Sequence, residues 1–483
     1  MNMKKLLAFF LCTLLLLSSL PFLVFAEGEA DYSGTTLTAE GFDYPQYIKD
    51  GKEKTYADTE GFEGSSITLE NDEGIAHVYV IFDKIYGEWK LSDGKKTVTV
   101  GKNGFLHEYI DVVSLFGNAP RTLTLTFDDD AYVADVYGFT RGTLPEWVQR
   151  WEAPLEKADI LLLSSHSDDE QLFFAGILPY YGVERGVDVQ VVYLISHFDT
   201  HDRPHEQLNG LWTVGIRNYP IISDFPDLFS ESLEGAVSAF EDKGYTYDDF
   251  TSFIVENIRR FKPQVLITHD IEGEYGHGTH IYCTDVVMTA LPSISDPEYF
   301  SESADKWGTW DVPKTYFHLY GENQITMDWD TPLESFGGKT AFEMTVEGFE
   351  CHKSQHWTWF YSWIYGTQSR PVTKASDIKN YSPCIYGLYR STVGKDVKGC
   401  DFLENITPYK DQVPPETAPP ETEKAPETTV PETEAAPRDE KSDVPFNPFV
   451  LVAVIIIAFA LITVICLAAV GEKKRSRPKN YKR

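Results

Sequence analysis

The chain has 483 residues, of which 42% are hydrophobic and 24% are charged, and its formal net charge at pH 7 is −32. Because 74 acidic residues outnumber 42 basic ones, the composition argues against a protein that binds nucleic acid or anionic surfaces through bulk charge. The length exceeds the about 100–200 residues of an average domain and predicts two folded domains.

Segments at the two ends of the chain predict a secreted protein with a membrane anchor. Residues 1–26 carry two lysines, a long apolar stretch and a final alanine, the pattern of a cleaved signal peptide. Residues 449–470 are uncharged and almost wholly apolar, enough for one helix across a bilayer core of roughly 30 Å. Residues 471–483 form a basic, cytoplasmic tail, and the Pro-, Glu- and Thr-rich stretch 411–443 is predicted to be a disordered stalk. The catalytic part would then lie outside the cell. This pattern fits a bacterial surface protein, and an anchored luminal protein of a eukaryote would have the same pattern.

The first folded domain, residues 33–145, is predicted to be an antiparallel β-sandwich. Short segments with alternating apolar residues, such as 75–82, 96–100 and 122–127, are separated by Gly, Asn and Asp. Residues 47–51 and the strand spacing resemble the galactose-binding (discoidin-like) sandwiches of secreted glycan-active enzymes. The resemblance leaves two alternatives open, a sugar-binding module or a structural sandwich packed on the second domain.

The second domain, residues 152–406, is predicted to be a Rossmann-like α/β fold with a mainly parallel sheet and helices on both faces. Apolar strands are expected at 159–164, 187–194 and 263–268, with helices over about 170–181 and 248–260 between them. In such sheets ligands bind beyond the carboxyl ends of the strands. The site is therefore expected where the first and third of these strands end.

Dense polar clusters follow those two strand ends. The first strand leads into His166, Asp168 and Asp169, and the third leads into a loop that contains His277 and His280. Imidazole and carboxylate groups from two adjacent strand ends can supply three ligands to a zinc ion and leave one position for water. An Asp-Asp pair before a helix is also an ordinary N-terminal cap, so the spacing alone leaves that alternative open.

The motif His-x-Asp-Asp-Glu at 166–170 and the motif Tyr-Gly-His-x-x-His at 275–280 resemble the LmbE-like (PIG-L) family of zinc-dependent N-acetylglucosaminyl deacetylases. An Arg-x-x-Glu pair at 203–206 and a Ser-Gln segment at 354–355 fit the same resemblance. This sequence has Ser167 where that family usually has proline, and Gly-Thr at 278–279 where it has Pro-Asp. The loss of that aspartate puts the orientation of the metal ligands in question.

The resemblance implies a role for each matching residue. It implies three Zn²⁺ ligands, namely His166, Asp169 and His280. It implies that Asp168 is the general base toward the attacking water, that a protonated His277 stabilises the tetrahedral intermediate, and that Tyr275 donates to the amide oxygen. Arg203 and Asp227 are candidates for binding sugar hydroxyls.

Several other residues have competing interpretations. His197, His201 and His205 are spaced like ligands on one helix, but Pro204 favours a loop at the substrate mouth, and His269 is predicted to support the site rather than bind metal. The aromatic stretch 356–363 is predicted to be core or interface rather than a sugar platform. The pairing of the cysteines outside the apolar end segments is undetermined; they are Cys283, Cys351, Cys384 and Cys400.

The sequence therefore predicts an extracellular zinc hydrolase that acts on the N-acetyl group of a GlcNAc-containing glycan. The alternatives are a zinc amidase or esterase with a non-sugar substrate, and an inactive surface adhesin that only binds glycans. Because every proposed catalytic residue follows Trp151, the sandwich is predicted to be dispensable for the chemistry.

Overall fold

The structure, a computed structural model, describes residues 28–62 and 64–412. The predicted signal peptide, membrane helix and cytoplasmic tail lie outside the described residues, as does the predicted stalk apart from its first two residues. Within the described ranges, no helix combines the length and apolarity needed to cross a membrane.

The N-terminal part is an antiparallel β-sandwich, as the alternating sequence pattern predicts. Its strands are β1 Thr36–Glu40, β2 Ala57–Asp58, β3 Ser65–Glu70, β4 His77–Phe82, β5 Trp89–Ser92, β6 Thr97–Val100, β7 His107–Asp111, β8 Thr122–Phe127 and β9 Tyr132–Phe139, with the short helix α1 Val112–Phe116. One sheet has the order β1-β3-β8-β5-β6 and the other the order β2-β9-β4-β7.

The two sheets of the sandwich differ in how they are buried. Strands β3 and β8 alternate between buried and partly exposed residues, because only one of their faces is covered. Strand β4 is buried from Val78 to Phe82 without alternation. Val78 and Phe82 belong to the main core, whereas Tyr79 and Ile81 pack in a separate cluster on the other face. The outer face of the four-stranded sheet is therefore also covered.

The C-terminal part is the predicted Rossmann-like α/β fold. Its sheet contains β10 Ile160–Ser164, β11 Val189–Tyr193, β12 Ile221–Ile222, β13 Val265–Thr268, β14 Lys314–His318, β15 Gln324–Thr326 and β18 Ile385–Ser391, and a separate hairpin pairs β16 Gly366–Thr367 with β17 Arg370–Pro371. The order in the sheet is β12-β11-β10-β13-β14-β18-β15. The strands from β12 to β14 are parallel to their neighbours, and β18 is antiparallel to both β14 and β15.

Helices cover both faces of this sheet. They are α2 Arg203–Thr213, α3 Leu233–Glu241, α4 Tyr247–Phe261, α5 Gly278–Ala290, α6 Ser301–Trp307, α7 Ala341–Phe349 and α8 Trp359–Tyr365. Single 3-10 turns lie at Pro45–Lys49, Glu274–Gly276, Leu291–Ser293, Glu334–Phe336, Lys353–Gln355, Ala375–Asp377 and Tyr409–Asp411. Along β10, Leu162 packs in one core cluster and Leu161 and Leu163 pack in the other. The strand is buried on both sides, which explains its continuous apolar sequence.

The topology places β10 and β13 side by side although the connections after them run in opposite directions. From β10 the chain continues to β11 and β12 on one side, and it returns to β13 on the other side. Such a reversal creates a crevice at the carboxyl ends of the two strands. The polar clusters that follow β10 and β13 meet at this crevice.

The regular helix predicted over 170–181 is wrong, because this region contains turns and a π-helical segment instead. Residues 167–176 make a series of turns, and a π-helical segment, Leu178–Glu184, follows them. Asp168 and Gly176 have positive φ angles of 109° and 86°, which a regular helix does not allow. A Cβ atom on Gly176 would lie 2.4 Å from the ring of Trp329, so this close approach requires glycine. By contrast, the helix predicted over 248–260 is confirmed as α4, which begins with a capping box at Thr246.

The sandwich packs directly on helix α2 and on the segment that follows it. The ring of Phe105 stacks on Tyr219 at 4.4 Å, and the Leu106 amide donates to the Tyr219 hydroxyl. Nε2 of His107 lies 2.9 Å from Nδ1 of His205, and both imidazoles are buried. The main hydrophobic core runs without interruption from the sandwich into the α/β part.

Candidate active site

Three side chains from two strand ends converge at the crevice. Nδ1 of His166 lies 3.2 Å from Oδ2 of Asp169 and 3.1 Å from Nε2 of His280, and the last two atoms are 3.3 Å apart. Ligand atoms of a tetrahedral zinc ion, with bonds of about 2.0 Å, are separated by about 3.3 Å. The triangle of the three predicted ligands therefore has the size that a zinc ion needs.

Glu274 orients His280 toward this triangle. Its side chain is buried, and its Oε2 lies 2.6 Å from Nδ1 of His280 and 2.8 Å from Nδ1 of His269. Its other oxygen lies 2.7 Å from Nδ1 of His318. A proton held on Nδ1 of His280 leaves the lone pair of Nε2 free for a metal. Thr279, which replaces the aspartate of the family pattern, donates instead to the Leu228 carbonyl, and Glu274 supplies the orientation that was in question.

His269 also lies near the triangle but supports it, as predicted. Asp169, His269 and His280 could together hold a metal by distance, and so could His166, His277 and His280. The backbone amide of Ser165 donates to Nε2 of His269 at 2.8 Å, so the lone pair of that nitrogen is already used. The other nitrogen of His269 is bound to Glu274.

The two adjacent aspartates have different environments. Burial alone would raise the pKa of Asp169, but His280 and the hydrogen bond from His166 hold it well below its usual range. Burial raises the pKa of Asp168 well above its usual range, and the guanidinium of Arg203, 3.9 Å away, opposes that rise. The surroundings thus favour an ionised Asp169, as a metal ligand requires, and an Asp168 carboxyl that can exchange a proton.

The surroundings of His277 favour a neutral imidazole, whereas the family resemblance implies a protonated one. Burial, together with the nearby rings of His166 and His280, lowers its pKa to about 2. Its Nδ1 accepts a hydrogen bond from the Thr279 amide at the start of α5. The single proton of the neutral ring then lies on Nε2, which remains a hydrogen-bond donor.

Tyr275 lies beside the same imidazoles, with its ring centre 5.6 Å from His277 and 5.8 Å from His280. Burial, followed by the charges of Asp169 and Asp168, raises its pKa far above the usual value. The hydroxyl therefore stays protonated and can donate. Its backbone has a φ of 51°, which the tight turn Glu274–Gly276 imposes.

Arg203 and Asp227 also lie at the site. One guanidinium nitrogen of Arg203 donates to the Ser167 carbonyl at 2.8 Å, and another lies 3.3 Å from Asp227. Asp227 is 3.6 Å from Nε2 of His166 and 3.6 Å from Nδ1 of His197. The structure thus brings all eight predicted site residues to one crevice.

The comparisons with known proteins agree with this geometry. The family of GlcNAc-PI de-N-acetylases, PIG-L, matches residues 161–291, which contain both motifs. Residues 161–291 are therefore similar to the PIG-L family, and the rest of the chain lies outside the match. The match covers β10, β13 and the three proposed metal ligands.

Two relatives carry the printed name 1D-myo-inositol 2-acetamido-2-deoxy-α-D-glucopyranoside deacetylase. The one from Catenulispora acidiphila is 25% identical over 41% of this chain and 66% of its own length. The one from Streptomyces griseus is 43% identical over 30% of this chain and 51% of its own length. The chain thus spans about half to two thirds of these two relatives. The F5/8 type C domain of a Bacteroides fragilis protein is 14% identical, covers 24% of this chain and 97% of its own length, and has a TM-score of 0.18.

Sequence reasoning missed several residues around the PIG-L site. Glu274 was visible in the histidine-rich loop but had no assigned role, and His318 ends strand β14 beside it. Buried Glu170 accepts from the Asp168 amide and lies 3.3 Å from His352. The position of His318 at a strand end is a signal that the sequence did offer.

The histidines after β11 do not form one group beside the PIG-L site. His197 is buried at the site, His201 pairs with Asp83 of the sandwich, and His205 lies on α2 against His107. The loop prediction is therefore wrong for His205, because α2 begins at Arg203 with Pro204 in its first turn, where proline is tolerated.

The aromatic stretch 356–363 is only partly buried, so the prediction of core or interface holds for Phe360 but not for Trp357. Phe360 is buried, but Trp357 is 85% exposed and Trp359 is 41% exposed. The ring of Trp359 meets that of Tyr275 edge-on at 5.3 Å. Trp359 therefore forms part of the rim of the PIG-L site. The four cysteines of the described ranges are all free thiols.

Proposed function

We propose that the protein is a zinc-dependent deacetylase that hydrolyses the N-acetyl amide of a GlcNAc-containing glycan or glycoconjugate. The triangle of His166, Asp169 and His280, with sides of 3.1 to 3.3 Å, carries the proposal. Zinc held there would supply a Lewis acid for the amide carbonyl and lower the pKa of water. The printed names of the relatives support an N-acetylated glucosamine as the substrate.

Asp168 is placed to move the proton in this reaction. Its carboxyl takes a proton from the attacking water and then delivers it to the leaving amine. The guanidinium of Arg203 near Oδ1 favours the ionised base, and Glu170 holds the backbone amide of Asp168. The hydrogen bond to Glu170 fixes the backbone amide of Asp168, whose φ is 109°.

His277 and Tyr275 supply the donors for the developing negative charge on the amide oxygen. Nε2–H of the neutral His277 and the protonated hydroxyl of Tyr275 can both point at that oxygen, since their rings adjoin the triangle. Two hydrogen-bond donors that are fixed in a buried site stabilise the negative oxygen of the tetrahedral intermediate. They do so without first transferring a proton to the amide oxygen.

The test is acetate release from N-acetylglucosamine, chitooligosaccharides and non-sugar acetamides, with and without a chelator. We expect release from the sugars, loss of release with the chelator, and recovery when Zn²⁺ is restored. Release from non-sugar acetamides alone would make the protein an amidase of another class. No release from any substrate by the zinc-loaded protein would favour the glycan-binding adhesin.

We further propose that the enzyme is a single-pass cell-membrane protein with its catalytic part outside a bacterial cell. The signal-peptide pattern of residues 1–26 and the apolar stretch 449–470 support this location. Protease added to intact cells should remove the catalytic part, and the mature N-terminus should be Glu27. A protein protected in intact cells but cleaved after lysis would contradict the proposal.

A further inference from the structure

A groove of about 750 Å³ lies between the sandwich and helix α2, apart from the residues of the deacetylase site. The sandwich contributes Glu53, Asp135 and Tyr137, and the α/β part contributes Asp202 and Glu206. None of the proposed zinc ligands or proton carriers lines it. Its volume lies within the roughly 300–1,000 Å³ of small-molecule sites. We call it the interdomain groove.

The carboxylates of the interdomain groove lie inside, whereas its ammonium groups lie at the rim. Asp135 is only 1% exposed and Glu206 is buried, but the lining lysines are exposed; they are Lys52, Lys54 and Lys353. Glu206 is satisfied by two hydrogen bonds from Ser354, and Glu53 accepts one from Asn209. The interior of the groove therefore presents acceptors and negative charge.

Asp135 has an unused acceptor in this interior. Its Oδ1 accepts from the Gly51 amide at 3.1 Å, and the Tyr137 hydroxyl lies near enough to the carboxylate to interact with it. Its buried Oδ2 makes no hydrogen bond of normal geometry among the described residues. Burial, followed by the negative charges of Asp50 and Glu53, raises the pKa of Asp135 to about 7. A buried carboxylate oxygen without a donor is costly, and a ligand that brings a charged donor would remove that cost.

Aromatic rings form another wall of the groove. Trp147 is 43% exposed, its ring centre lies 5.0 Å from that of Tyr137, and Tyr137 lies 5.2 Å from Tyr32. All three rings line the groove. An exposed indole offers an apolar face to the C–H groups of a sugar ring and attracts an adjacent cation.

We propose that the interdomain groove is a second saccharide site that binds a sugar carrying a free, protonated amine. The sugar ring packs against Trp147, and its ammonium group donates to Asp135 Oδ2 and Glu53. Amino sugars of this class are the products of the proposed deacetylation. The statement that the groove binds a product of the enzyme rests on the proposed function, whereas the groove's binding of amino sugars does not. The groove would hold deacetylated units of a glycan beside the helix that carries Arg203.

The experiment is calorimetric titration of the full-length protein with glucosamine trisaccharide and with its fully N-acetylated counterpart. It uses the Asp168→Asn background, so that no turnover occurs. We expect the deacetylated trisaccharide to bind, and Asp135→Asn to weaken that binding about tenfold or more, because a charge-assisted hydrogen bond is lost. Trp147→Ala should weaken it as well. Asp130→Asn, an exposed sandwich aspartate outside the groove, is the matched control and should bind as before.

The groove assignment is overturned if Asp135→Asn and Trp147→Ala bind the deacetylated trisaccharide as tightly as the parent protein does. It is also overturned if spermidine or Ca²⁺ competes with equal affinity, since the site would then recognise charge alone. Circular dichroism of each variant checks that it is folded, and Asp202→Asn provides a second groove variant. If the groove binds the deacetylated trisaccharide but the protein releases acetate from no substrate, the proposed function is refuted and the groove assignment is kept. If the protein releases acetate but the groove does not bind the trisaccharide, the groove assignment is refuted and the proposed function is kept.

Discussion

Asp168 and Asp169 are adjacent and chemically identical, but the fold gives them different partners. Oδ2 of Asp169 accepts from the backbone amide of His166 and lies within 3.3 Å of His280. Asp168 points toward Arg203 from a backbone with a φ of 109°. This difference in side-chain direction would let Asp169 bind the proposed metal while Asp168 remains available for a proton.

We predict that Asp168→Asn keeps zinc and loses turnover by about a hundred- to ten-thousand-fold, because it removes a proton carrier and not a ligand. Asp169→Asn should lower zinc occupancy and activity together. Metal analysis and acetate release on the same preparations separate the two outcomes. Loss of metal from Asp168→Asn, or an active and zinc-loaded Asp169→Asn, would show that the roles are exchanged.

Glu274 holds the imidazole of His280 in place, so its substitution tests whether that orientation matters for metal binding. Its carboxylate binds three buried histidines, and burial alone would raise its pKa, but His269 and the hydrogen bonds from the imidazoles hold it well below its usual range. We predict that Glu274→Gln weakens zinc binding by about 10–100-fold, because His280 loses the acceptor that fixes its orientation. Competition with a chromophoric chelator measures this change. The exposed neighbour Glu272 provides the control, and equal affinities of Glu272→Gln and Glu274→Gln would contradict the prediction.

At the scale of elements, helix α2 connects the sandwich to the chemistry. Its first turn carries Arg203, which lies at the site. The next residues of the helix make contacts on both sides: His205 contacts His107 of the sandwich, and Glu206 accepts a hydrogen bond from Ser354. Gly210 allows residues 348–352 to pack closely against the helix. A Cβ atom on residue 210 would lie 2.9 Å from Nε2 of His352 and 3.2 Å from the Gly348 carbonyl oxygen. A shift of this one helix would move residues on both sides of the site.

We predict that Gly210→Ala destabilises the protein by about 1–3 kcal/mol, because the added methyl group overpacks the contact between α2 and His352. Activity should fall with it, since Arg203 moves with the helix. Chemical denaturation and kcat/KM measure the two effects. Gly87→Ala serves as the control because nothing lies within 4 Å of its Cβ position. A Gly210→Ala protein as stable and active as Gly87→Ala would show that the helix accommodates the methyl group.

At the scale of the whole molecule, the sandwich and the PIG-L domain share one hydrophobic core. The described residues fall in a single compact unit, and buried side chains of both parts belong to the same cluster. No sandwich residue is among the proposed ligands or proton carriers. The sandwich nevertheless covers α2, so its removal would expose apolar surface beside Arg203.

We predict a single cooperative thermal transition for the two parts, and an upward shift of the whole transition by zinc. At a free zinc concentration of 100 times Kd the stabilisation should be about 2.7 kcal/mol. Scanning calorimetry with and without a chelator tests this expectation. Two separate transitions, of which zinc moves only one, would mean that the sandwich unfolds independently and could be removed as the sequence suggested.

Local patterns in the sequence determined the strands, the helix Tyr247–Phe261 and the two metal motifs, because strand alternation, helix capping and ligand spacing depend on neighbouring residues. The tertiary structure decided which carboxylate orients His280, since Glu274 also binds His318 from a different strand. It decided that the pKa of His277 is lowered, because a pKa depends on burial and on charged or titratable groups that arrive from elsewhere in the fold. It also decided that the four-stranded sheet is buried on both faces and borders a groove. Such contacts join residues that are far apart in the chain, and no periodicity or local motif records them.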